Sequence, residues 1–132
     1  MPSTGIPMLG NDSCGCCVWA SRLHYLQLAE LYVNNNLVQP TDAECIGDYS
    51  ACTGYDPSNP STDQGTYVQG PGGAIEYWIN KGVTCAGKRY FLKNAVAVNH
   101  MDLDHLKLAL TLGPVFGGAT IRVDDALSPF MW

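Results

Sequence analysis

From Cys17 to about Asn36 the chain reads CVWASRLHYLQLAELYVNNN. Its apolar residues Trp19, Leu23, Leu26, Ala29, Leu31 and Val33 recur close to the spacing of one helical stripe, and the three asparagines suit a C-terminal stop. A second helix is predicted from Thr41 to Thr53, where Thr41 and Glu44 form a capping box after Pro40. GYDPSNPSTDQG, residues 54–65, is turn chemistry throughout and predicts a surface loop. AIEYWINKG, residues 74–82, reads as a third helix stopped by Gly82. RYFLKNAVAVN, residues 89–99, is rich in aromatic and β-branched side chains and reads as extended. MDLDHLKLALTLG returns to helical spacing and ends at Gly113; PVFGGATIRV, residues 114–123, reads as a strand. No internal repeat or low-complexity linker interrupts this order.

Length and charge narrow the classes. At 132 residues the chain suits one domain or two small lobes, and 46% hydrophobic against 14% charged residues argues for a folded globule. A net charge of −5 gives no electrostatic reason to expect nucleic acid or an anionic membrane as partner. No apolar run reaches the roughly 20 residues of a membrane span. The first ten residues, MPSTGIPMLG, lack the basic start and apolar core of a signal peptide, so export is not expected.

Six cysteines are the remaining chemistry. With Cys16 and Cys17 free, Cys14, Cys45, Cys52 and Cys85 allow three disulfide pairings, and sequence does not choose among them. A structural zinc site wants two short-spaced clusters, which Cys45, Cys52 and an isolated Cys85 do not make; no metal or other cofactor is expected. Cys17 opens the first helix, where unpaired N–H groups and the positive end of the helix dipole favour a thiolate. Asn11, six residues earlier, can turn its amide toward the same point, and with the Cys17 N–H it would make an oxyanion hole. The plainer reading is a small buried cysteine at a helix start.

SCGCCVWA resembles the SCGSCWAF nucleophile segment of papain-like cysteine peptidases. It is more similar still to papain-fold, peptidase-like proteins of bacteriophage and actinobacterial genomes, whose segment reads G-N-D-x-x-G-D-C: Gly10, Asn11, Asp12, Gly15 and Cys17 fit it, with Cys16 in place of the aspartate. YSACTGYDPSNPSTDQG (49–65), AIEYWINKGV (74–83) and LKLALTLGPVFGGATI (106–121) resemble later segments of the same proteins in the same order, while VQGPGG (68–73) looks like an insertion. The resemblance implies an α+β, papain-like fold, with residues 1–112 as the helical lobe and 113–132 as the start of an incomplete β lobe. It implies Cys17 as nucleophile and Asn11 as oxyanion donor, a peptide or amide substrate, and a virion or host-cytoplasm location.

The base is missing from this pattern. The family's histidine follows a Gly-Gly-His-Ala-like stretch placed beyond Trp132, and its orienting Asn or Asp lies later again. His24 is two helical turns from Cys17, about 10 Å by helix rise, too far for a base that needs contact at roughly 3 Å. His100 and His105 fall in a capping, solvent-facing segment. Three classes therefore stay open: a cysteine hydrolase completed by a histidine elsewhere; a non-catalytic virion or assembly protein; and a glycan- or partner-binding module using Tyr55, Tyr67, Trp78 and Trp132. An incomplete β lobe would leave Val115, Phe116, Ile121, Phe130 and Trp132 partly uncovered, inviting phage structural proteins or a second copy to pair along its edge.

Overall fold

The computed structural model describes residues 6–117. It is a mixed α+β chain whose described elements are helices α1 (Cys17–Asn34), α2 (Asp42–Thr53), α3 (Ala74–Asn80) and α4 (Leu103–Leu112), strands β1 (Val83–Cys85) and β2 (Lys88–Tyr90), and a short 3-10 turn at Pro60–Thr62. It divides into two compact units, Met1–Ala97 and Val98–Trp132.

In the first unit α1 packs on α2 and β1, and α2 packs on β1. Leu9, Trp19, Leu23, Cys45, Tyr49, Trp78 and Val83 fill the core. Asn35 ends α1 in the left-handed conformation (φ 49°), a position asparagine tolerates better than most residues. The stripe read along α1 holds only for its first half. Trp19, Leu23 and Leu26 are buried and Ala29 is half-buried, but Leu31 and Val33 are exposed, as are Leu28 and Tyr32 beside the stripe.

The capping box of α2 is present: Thr41 accepts from the Glu44 N–H and the Glu44 carboxylate accepts from the Thr41 N–H. The same carboxylate accepts from Ala86 N (3.2 Å) and Gly87 N (2.6 Å), so one side chain both starts α2 and holds the β-hairpin turn. That turn needs two left-handed residues, Ala86 at φ 51° and Gly87 at φ 75°. The antiparallel register is Val83↔Tyr90, Thr84↔Arg89 and Cys85↔Lys88. Asp48, buried on α2, fixes the hairpin by accepting from Thr84 N (2.6 Å) and Arg89 Nη1 (2.8 Å). The extended reading of 89–99 is thus corrected: pairing ends at Tyr90, since no described strand lies beyond to take up further ladder bonds, and 91–99 is irregular.

In the second unit Asp102 caps α4 by accepting from the N–H groups of Asp104 and His105. No side chain of α4 is buried; Leu103, Leu108, Leu110 and Leu112 are exposed. Residues 114–117 carry no strand. The rest of the expected strand, including Ile121, lies outside the described residues, as do Phe130 and Trp132. No described helix is long and apolar enough to cross a membrane.

Candidate functional site

Cys17 is the first residue of α1, and the fold sorts it from its neighbours. Cys14 and Cys16 are buried and Cys17 is exposed. The Cys14 thiol lies within reach of Gly10 O (3.5 Å) and Cys16 of Leu9 O (3.6 Å), and both point inward. Burial pushes the Cys14 thiol up to about 12; contact with Cys45 and burial raise that of Cys16. Cys16 also occupies the N-cap without making a side-chain cap bond. Among the described residues, the N–H groups of Cys17 and Val18 carry no hydrogen bond, so the first turn of α1 keeps donors free beside an exposed thiol.

The loop before Cys17 is built tightly. Leu9 (φ 56°) and Gly10 (φ 79°) both adopt left-handed backbone, and a Cβ on Gly10 would meet Ile46 at 2.8 Å. Ser13 N and Cys14 N then bond back to Gly10 O, closing one turn. Asn11 sits in this turn, half-buried, its N–H on Met8 O. Asn11 and Cys17 thus stand at opposite ends of a single loop, and no hydrogen bond joins them.

Asp63 anchors that loop, a role the sequence reading did not find. Its carboxylate accepts from the N–H of Gly15 (2.7 Å), from the Tyr49 hydroxyl and from the N–H of Gly65. The Tyr49 hydroxyl, and then the Gly15 N–H, hold Asp63 below the usual carboxylate range; burial, and then Asp63, push Tyr49 up to about 12. A Cβ on Gly15 would come within 2.8 Å of Asp63 Oδ1, so glycine is what lets the carboxylate approach the backbone. Next door, Trp19 Nε1 donates to Thr66 Oγ1 at 3.2 Å. The 54–65 loop is therefore a surface loop as expected, but also the clamp on the cysteine segment. No sequence signal set it apart: Asp63, like Asp56 in the same turn-rich run, looks like any turn former.

Each histidine is described within its own unit. His24 Nδ1 pairs with Gln27 Oε1 at 3.0 Å on α1, and His105 Nδ1 accepts from Asn99 N within the second unit. His100 is exposed. Of the aromatics that a binding module would use, Trp78 is core, the commoner fate of aromatics at these spacings: its ring packs on Arg22 and Tyr25. Tyr55 stacks half-buried on Tyr49, Tyr67 is exposed, and Trp132 lies outside the described residues. A cleft of about 280 Å³ opens between the end of α2 and α3, at Cys52, Gly73, Glu76 and Tyr77; neither Cys17 nor Asn11 lines it. All six cysteines are free thiols, and among the described residues no group of three His, Cys, Asp or Glu side chains is placed to hold a metal.

Comparison with protein-family models, with curated proteins and with solved structures finds no match.

Proposed function

We propose that the chain is a papain-fold, cysteine-peptidase-like protein in which Cys17 is the nucleophile of an amide or peptide hydrolase. One observation carries the reading: of three cysteines within four residues, the only exposed one is the one at the first position of an 18-residue helix with free N–H donors beside it. A thiol so placed can be reached by a substrate, with backbone N–H donors beside it for a developing oxyanion. In the proposed reaction Cys17 Sγ attacks the amide carbon, forming a C–S bond. The oxyanion takes hydrogen bonds from the Cys17 N–H and the Asn11 amide; the amine leaves with a proton from an imidazolium, and water hydrolyses the thioester. Among the described residues of the first unit, His24 pairs with Gln27 and no imidazole bonds to Cys17, so the proposal takes its base from the histidine that the resemblance implies for the β lobe.

The test is thiol labelling of the folded protein. Iodoacetamide at neutral pH should modify Cys17 at least about tenfold faster than any buried cysteine, and Cys17→Ser should remove the fast phase. Six thiols reacting at one slow rate would end the proposal.

A second reading, a non-catalytic assembly component, is favoured by the exposed Leu28, Tyr32 and Val33 of α1 and the exposed leucines of α4. Uncovered apolar faces of this kind fit a protein that works against another chain, a phage structural protein or a second copy. Under this reading the folded protein is recovered in fixed stoichiometry with a partner, and Cys17→Ser changes nothing in that assembly.

A further inference from the structure

Cys16 and Cys45 meet in the core. Their sulfurs are 3.9 Å apart, both residues are fully buried, and 29 positions of chain separate them. Cys16 is the N-cap of α1, and its carbonyl accepts from Trp19 N (2.8 Å) and Ala20 N (3.0 Å); Cys45 lies in the first turns of α2. A disulfide needs its sulfurs about 2 Å closer, a movement that side-chain torsion and a small shift of the Cys16 loop supply. We propose that Cys16 and Cys45 are a disulfide-forming pair, a cross-link site that ties the loop before Cys17 to α2.

The pairing differs from those among Cys14, Cys45, Cys52 and Cys85 that sequence left open. Cys14 is the competing partner for Cys16, since their side chains also interact. A bridge between them would span one residue, a short ring that stores strain, whereas Cys45 approaches from another element. The oxidant is a low-molecular-weight or protein disulfide. When the Gly10–Cys16 loop opens, the Cys16 thiolate attacks it and releases one thiol; Cys45 then attacks the mixed disulfide and releases the other, so two protons and two electrons leave the protein and the oxidant is reduced to two thiols. Burial keeps the finished bridge from exchange until the Gly10–Cys16 loop opens. None of this depends on Cys17 being a catalyst.

The experiment oxidises the purified chain with oxidised glutathione, unfolds it, alkylates it with iodoacetamide and digests it with trypsin. The expected product is the fragment ending at Arg22 joined by one disulfide to the fragment ending at Lys81, with Cys14, Cys52 and Cys85 alkylated and the exposed Cys17 carrying either glutathione or the alkyl group. Cys16→Ser and Cys45→Ser should each abolish the joined product, while Cys14→Ser and Cys17→Ser retain it. Oxidation should raise Tm by about 10 °C wherever the link forms. Should a buried serine prevent folding, fragmentation of the joined wild-type peptides assigns the sulfurs directly. Six alkylated cysteines after oxidation, or a link that survives Cys16→Ser or Cys45→Ser, would overturn the proposal.

Discussion

Asp63 shows how much one side chain can organise here. It fixes the cysteine loop through Gly15, and both partners are tightly constrained: Tyr49 and Gly65 hold the carboxylate in place, so it cannot yield to a methyl group on Gly15. Gly15→Ala should therefore destabilise by about 2 kcal/mol in urea unfolding, where an exposed loop Gly→Ala would change little. Asp63 also sets a pH limit. Its proton affinity is lowered in the fold, so the unfolded chain binds a proton more readily; the stability it contributes is present at neutral pH and lost as pH falls below about 4. Asp63→Asn should flatten that acid limb of a Tm against pH curve. Cys14 and Tyr49 act on the other limb. Both are raised to about 12, so the fold retains protons that the unfolded chain has begun to lose near 9 to 10, and stability declines as pH climbs through that window. Arg22 is the contrasting residue. Its guanidinium lies 4.7 and 5.2 Å from the Trp19 and Trp78 rings with Nη1 and Nη2 lacking hydrogen-bond partners among the described residues, and burial lowers its proton affinity to about 10. Two desolvated cation–π contacts at about 2 kcal/mol each roughly offset a desolvation cost of several kcal/mol. Arg22→Met should accordingly shift stability by less than about 1 kcal/mol; a loss above about 3 kcal/mol would show that the cation–π contacts outweigh desolvation.

At the scale of elements, α1 and α2 begin in opposite ways. The N-cap of α1 is a thiol turned into the core; that of α2 is a full capping box whose glutamate also holds the hairpin. Thr41→Ala should cost about 1 kcal/mol, the usual value of a cap. Glu44→Ala should cost about 2 kcal/mol, because it also removes the two charge-assisted hydrogen bonds to the N–H groups of Ala86 and Gly87. Equal losses in chemical denaturation would mean that the hairpin turn gains nothing from Glu44.

For the molecule as a whole, the exposed apolar end of α1 is the feature with consequences in solution. Leu28, Tyr32 and Val33 stand together within two turns and are more than half exposed. Sedimentation of the isolated chain should show concentration-dependent association that Leu28→Lys with Val33→Glu suppresses without lowering Tm. A wild-type chain that stays monomeric at high concentration would remove the support for an assembly role.

Local chemistry was legible in the chain itself. The capping box at Thr41, the asparagine stop of α1, the capping segment before α4 and the turn-rich loop each depend on residues within a few positions of one another; helical spacing placed α1 and α4, and cap and stop residues placed α2 and α3. So was the start of α1 at Cys17. What tertiary structure decided is which side chains meet: that Asp63 grips Gly15 across 48 positions, that Cys16 finds Cys45, that Trp78 and Arg22 are core, and that the stripe of α1 is covered only as far as Leu26. Periodicity marks a face as apolar, but burial requires another element to arrive opposite it. Contacts between distant segments leave no local pattern to read.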